Sequence, residues 1–162
     1  MADRWVLNAS PVILLAKAAV IHLVPRLCEE LVIPAGVISE VRSGVAADAG
    51  RSWLAGAGSQ FVQTAPPIPA ALANWHGGAG EAEVMAWAMA KPGFTAVLDD
   101  LKARNKARTL GVAVIGTVGI ILRAKQQGVI PSVRPVLDKL RGAGAHLSDF
   151  LITRAIQLAN ER

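Results

Sequence analysis

Cysteine is nearly missing from this chain. Cys28 stands alone, so no internal disulfide is available, in keeping with a reducing compartment. Histidine is sparse too: His22, His76 and His146 are scattered with no metal-ligand spacing, which argues against a zinc site. The longest apolar runs, Trp5 to Ala16 and Gly111 to Leu122, fall short of the ~20 residues a spanning helix needs. The first run follows Arg4 like a signal-peptide core, yet Asn8, Ser10 and Pro11 in its middle favour a strand followed by a helix. No glycine loop of phosphate-binding spacing occurs, since GAGEAE lacks the pattern and GTVG is too short. That ranks a simple nucleotide-binding α/β domain last. Repeats, heptads and low-complexity stretches are also missing. The expectation is one soluble, cytoplasmic domain with no membrane segment.

The 52% hydrophobic content with regular periodicity argues against disorder, and 162 residues suffice for a sizeable core. Only 18% of residues are charged, which makes the grouping of four acids between Gly80 and Asp100 stand out. Net charge is +5 and unevenly spread: residues 1–100 hold six Lys/Arg against nine Asp/Glu, residues 101–162 eleven against three. An acidic focus beside a basic half suits a polyanionic substrate, although an ordinary basic surface accounts for the same asymmetry.

Gly80 to Ala90 reads as a helix between a glycine cluster and Pro92-Gly93, apolar nearly all round and therefore buried. Glu81 and Glu83 lie in its first turn, about 200° apart, so one site takes one of them directly. Thr95 to Leu98 is a short strand ending in Asp99-Asp100. A helix entering a parallel strand starts at the rim where that strand ends, and ligands gather at that rim. Glu81 and the Asp99-Asp100 pair should meet there.

Elsewhere, Trp5 to Asn8 reads as a strand, and Ser10-Pro11 opens a helix to Lys17. A second helix is expected over Ala19 to Glu30, then a strand over Leu31 to Ile33. Residues 35–43 form a helix closed by Gly44, with Glu40 at the edge of its apolar stripe. By position alone Glu40 is a solvated flank or an ion-pair partner for Arg42 or Arg51. Ala46 to Ala55 looks helical, Gln60 to Thr64 like an edge strand, and Ala70 to His76 like one or two helical turns. Leu101 to Leu110 is a helix flanked by Lys102, Arg104, Lys106 and Arg108, either a grip for a phosphate backbone or ordinary solvated flanks. Val112 to Ile115 is a strand ending at Gly116-Thr117, followed by a helix over Val118 to Gln127. Pro131 to Arg141 and Leu147 to Asn160 are two further amphipathic helices, the latter capped by Ser148.

In this order, the stretches VLNASPVILLAKA, VIPAGVISEV, GAGEAEVMAWAMA and VLDDLKARNKARTLGVAVIGTVGIILRAKQQGVI resemble a PIN domain of the PIN-like family similar to VapC-type toxin ribonucleases. The resemblance implies a three-layer α/β/α sandwich on a mainly parallel sheet of four to five strands, spanning residues 1–130. Residues 131–162 would be a helical extension packed on the same domain. It also implies an endoribonuclease of toxin-antitoxin type, cutting single-stranded RNA with Mg²⁺ or Mn²⁺, bound by a small antitoxin and dimeric. Catalytic positions fall on Asn8, Glu40, Glu81 and Asp100, metal ligands on Glu40, Glu81, Asp99 and Asp100. Ser10, Lys102, Arg104, Lys106, Arg108 and Thr117 would face the nucleic acid. Asn8 stands where the family has its first acid, which removes one negative charge from the site. The alternative is therefore a catalytically weakened PIN-like protein that binds RNA or a partner.

Overall fold

The computed structural model describes residues 3–44 and 48–161. Five parallel strands form one sheet: β1 (Arg4–Leu7), β2 (Glu30–Pro34), β3 (Val62–Gln63), β4 (Thr95–Val97) and β5 (Val114–Ile115), in the order β3-β2-β1-β4-β5. Register pairs Trp5 with Leu31 on one side and with Thr95 on the other. The chain leaves β1 toward β2 and β4 toward β5, outward in opposite directions. Right-handed crossovers then put the connecting helices on opposite faces, the expected α/β/α layering. Between β1 and β4 the direction reverses, and such a switch point opens a crevice beyond the strand ends.

The helices among the described residues are α1 (Ala9–Lys17), α2 (Val24–Leu27), α3 (Ala35–Ser43), α4 (Asp48–Ala55), α5 (Ala79–Ala90), α6 (Leu101–Thr109), α7 (Thr117–Gln126), α8 (Arg134–Gly142) and α9 (Asp149–Leu158). The start of the helix expected from Ala46 lies outside the described residues. β3 is an edge strand, as its short polar pattern implies. The central strands carry the core, with Trp5, Val6, Leu7, Val32, Ile33, Ala96 and Val97 buried. α5 buries residues on every side, Val84, Met85, Ala86, Trp87 and Ala88 among them, and Trp87 meets Phe94 edge-on at 5.8 Å. Its apolar circumference thus has a partner all round.

The helix expected over Ala19 to Glu30 does not form. Ala19 adopts a left-handed backbone (φ 60°), a tight turn covers Ile21–Leu23, and α2 lasts only four residues. Pro25 lacks the N–H that a longer helix would require there. Cys28 is already extended, and Glu29 N–H donates to the Asp3 carbonyl at 2.7 Å, leading into β2. Ala9–Lys17 and Ile21–Leu27 reach membrane-spanning length only together, and they are bent by 114°. No single helix among the described residues is long and apolar enough to cross a membrane.

The last two helices bury Val136, Leu137, Leu140, Ala155 and Ile156 in the same core as the sheet. α8 packs on α1 and α7, and α9 on α7 and α8. Ser148 caps α9, its hydroxyl accepting from Leu151 N–H at 3.0 Å.

Candidate functional site

Most of the polar groups at the switch-point crevice come from strand ends and helix starts, with Glu40 of α3 an exception. β1 delivers Asn8, whose backbone N–H donates to the Val97 carbonyl at 3.3 Å and so abuts the end of β4. The Asn8 side chain is only 6% exposed, and its Oδ1 has no hydrogen-bond partner among the described residues. An orphaned buried carbonyl is rare, because leaving it unpaired costs about 1–3 kcal/mol. Asn8 lines two adjoining cavities, one shared with Ser10, Glu81, Asp99, Asp100 and Thr117, the other with Ser10, Glu40, Gly78 and Glu81.

The first turn of α5 supplies the centre. Glu81 Oε1 accepts from Gly78 N–H at 2.9 Å, folding back over its own helix start. Glu40 reaches across from α3 and accepts from Gly80 N–H at 2.8 Å. A side chain at Gly80 would come within 2.9 Å of both Glu40 carboxylate oxygens, so the glycine is what lets α3 and the α5 start approach. Glu83 points away from the crevice and accepts from Gly36 N–H at 3.2 Å, tying α5 to α3. The two glutamates thus separate, as their angular spacing on a helix requires.

The adjacent aspartates divide their labour. Asp100 is the N-cap of α6, with Oδ2 accepting from Ala103 N–H at 3.0 Å. Asp99 accepts from Thr117 N–H at 2.8 Å, Thr117 Oγ1–H at 2.7 Å and Ser10 Oγ–H at 3.0 Å. That carboxylate joins β4 to the starts of α1 and α7, with both of its oxygens engaged. Ser10 and Thr117, expected to face nucleic acid, are the residues that hold it. Of the four α6 cations, only Arg104 lines the larger cavity, with Nη1 donating to the Leu98 carbonyl at 3.4 Å. Arg108 donates to Asn105 Oδ1 at 3.2 Å, and Lys102 is exposed.

Arg51, an available partner for Glu40 by sequence, instead pairs with Asp48 and donates to the Arg42 and Gly44 carbonyls. No ion pair to Glu40 forms among the described residues. Glu81 is held above the ordinary carboxylate range, first by burial and then by the charges of Asp100 and Glu40, against the lowering effect of the Gly78 N–H.

No group of three or more His, Cys, Asp or Glu among the described residues is drawn together as a metal cage. The donor chemistry nevertheless fits a hard divalent cation. Glu40, Glu81 and Asp100 each use one oxygen on a backbone N–H, and the other has no donor among the described residues. Mg²⁺ keeps several waters and is bound through one or two carboxylates, so it does not require a closed cage. An orphaned amide oxygen and a carboxylate raised by burial and then by its like-charged neighbours are both conditions that a cation would relieve.

The sequence offered no sign of the far wall of the larger cavity. Leu140, Ala145, His146, Leu147 and Leu151, from α8, α9 and the turn between them, line it beside Leu14 and Val118. His146, isolated in sequence, is there because of that turn. Contacts made by residues forty or more positions from the acids leave no local signal.

Comparison with protein families matches residues 4–161 to DUF3368, described as a PIN domain. No curated protein and no solved structure matches the chain. With nearly its whole length covered, the chain belongs to this family of PIN domains.

Proposed function

We propose that the chain is a metal-dependent endoribonuclease of toxin type, acting on single-stranded RNA in the crevice between β1 and β4. PIN domains are a nuclease-type fold, generally dependent on divalent metal. The observation that carries the reading is Glu81. It sits at a helix start in a cleft, raised by burial and by the charges of Asp100 and Glu40, with no cation paired to it among the described residues.

Glu40, Glu81 and Asp100 would hold Mg²⁺ or Mn²⁺, with the Asn8 amide oxygen as a neutral fourth donor. Bound there, the ion would neutralise charge developing on a phosphodiester and lower the pKa of an attacking water. The chain's own residues do the positioning. The Gly80 and Gly78 N–H groups at the start of α5 fix one oxygen of Glu40 and one of Glu81. Asp99, through Ser10 and Thr117, locks the three elements that frame the cleft. Arg104 offers a cation to the RNA backbone inside the cavity. The toxin-type part of the reading rests on the resemblance; exposed Phe150 and Leu158 on α9 offer an apolar surface for the antitoxin or second copy it implies.

The test is incubation of the full chain with single-stranded RNAs and Mn²⁺. Cleavage that stops with chelator and is lost in Glu81→Gln supports the reading. A parent that leaves every RNA intact overturns it.

A second reading has its own observation. Asn8 in place of an acid, with no closed acid cage among the described residues, favours a PIN-like protein that binds RNA without cutting. On that reading, Asn8→Asp creates Mn²⁺-dependent cleavage in a parent that has none.

A further inference from the structure

The larger cavity, about 750 Å³, is built from two unlike halves. One end holds Asn8, Glu81, Asp99, Asp100 and Thr117. The other is lined by Leu140, Ala145, Leu147 and Leu151, with Val118 of α7 and with His146 at the turn. Arg104 is the one arginine or lysine among the lining residues, and its only hydrogen bond among the described residues is the long one to the Leu98 carbonyl.

The apolar wall is held in place. Arg141 donates to the Leu147 carbonyl at 2.8 Å and to Asp149 Oδ1 at 3.0 Å, bracing the turn between α8 and α9. Leu147 N–H donates to the Ala145 carbonyl at 3.0 Å, and Leu140 is fully buried. A supported apolar chamber opening onto an acidic rim is not needed for cutting a phosphodiester, since the bond concerned is wholly polar. Its size lies within the ~300–1,000 Å³ of pockets that enclose small ligands. A nucleotide has the matching division: a charged phosphate at one end, a flat and largely apolar-faced heterocycle at the other.

We propose that the arm of this cavity between α7 and the α8–α9 turn seats one unpaired nucleobase of the substrate, while Arg104 takes the phosphate attached to it. The proposal rests on the ribonuclease reading and deepens it. The C-terminal helices become part of the substrate site, and the preference for single strands acquires a cause. A base must leave its stack and its pairing partner to enter, which a duplex resists. The aliphatic walls accept any base face, so selectivity falls on size and on the edge presented to His146.

Calorimetry on the full chain with Mn²⁺ present compares nucleoside 5′-monophosphates with ribose 5-phosphate, which keeps sugar and phosphate but lacks the base. Removing the faces of the base from water against aliphatic walls should make the nucleotides bind about tenfold tighter. Ala145→Phe, which fills the arm, should bring nucleotide affinity down to that of ribose 5-phosphate and leave the latter unchanged. Leu147→Ala, a truncation at a half-buried position, should weaken nucleotides alone by a smaller factor and stands in if Ala145→Phe does not fold. Equal affinity for the two probes overturns the proposal. So does a base preference that survives both substitutions, or an effect of them on self-association in ultracentrifugation alone. RNA cleavage separates the two readings. If the parent cuts and the variants cut at the same positions and rates, the base site falls and the nuclease stands. If the parent never cuts yet prefers nucleotides through Ala145 and Leu147, the nuclease falls and the base site stands.

Discussion

Two glutamates of this chain occupy opposite electrostatic situations. Glu161, beyond α9, accepts from Ser132 Oγ–H at 2.6 Å and Val133 N–H at 2.8 Å, and pairs with Lys125 at 3.1 Å. Those partners, the Ser132 hydroxyl foremost, hold its pKa down to about 2. Glu81 has one backbone N–H and two neighbouring acids, and is pushed upward by burial and by their charges. Glu161 is matched to its surroundings and fastens the chain end to the loop before α8. Glu81 is left with more negative charge than its surroundings compensate, at a cost that packing elsewhere in the fold offsets. A carboxylate that serves stability is surrounded by donors; one that serves a ligand is left in want of one.

The largest effect comes from removing the charge that is in excess. Glu81→Gln keeps an acceptor for Gly78 N–H, so the helix start survives while the negative charge goes. Mn²⁺-dependent RNA cleavage should fall by at least about 100-fold, the scale of losing one group that stabilises transition-state charge. Thermal melting should stay level or rise. A fall in melting temperature comparable to that of a broken ion pair would place Glu81 with Glu161 and end the contrast. Removing the matched charge should do the reverse. Glu161→Gln loses charge-assisted bonds to Lys125, Ser132 and Val133, and should cost about 2 kcal/mol in denaturant unfolding with cleavage per folded molecule unchanged.

Asn8→Asp moves the cleft further from balance. A carboxylate in place of the neutral, orphaned amide should tighten Mn²⁺ by about tenfold, or about 1.4 kcal/mol, measured by calorimetry. In chelator the same variant should melt lower than the parent, because the added charge faces Glu81 and its acidic neighbours with no cation present. Tighter binding without that penalty would mean Asn8 lies outside the reach of the acids.

Much of this arrangement could be read from the sequence because it is local or topological. Strand ends and helix starts converge at one rim in a parallel sheet, so Asn8, Glu81, Asp99 and Asp100 were legible as neighbours. The 200° between Glu81 and Glu83 foretold that they would part. What Asp99 does was not legible, because its partners Ser10 and Thr117 are 89 and 18 residues away and a hydroxyl beside an acid looks the same whether it faces substrate or protein. The helix expected over Ala19 to Glu30 rests on its apolar run alone, and Pro25, which has no N–H to continue a helix, is the residue that run does not account for. The Glu161 lock and the apolar wall from α8 and α9 depend wholly on tertiary packing. No periodicity announces which side chain will meet a serine twenty-nine positions back.

The smallest effect is also the most direct measure of the contrast, because it needs no metal and no RNA. For Glu161 the folded pKa lies near 2, below its ordinary 4.5. The folded state then binds its proton less readily than the unfolded chain does. Its stabilisation is complete above pH 4.5 and drains away as pH falls from there toward 2. For Glu81 the shift has the opposite sign, upward from 4.5. The folded state takes up the proton first, so stability declines as pH rises from 4.5 through the elevated value and is flat beyond it. Unfolding free energy followed from pH 2 to pH 8 in chelator should therefore show an acid limb that Glu161→Gln flattens. Above it should come a shallower decline that Glu81→Gln removes. Both limbs vanishing in one variant would mean the two carboxylates are coupled through the core, and that the cleft and the C-terminal latch are not the independent regions their contacts describe.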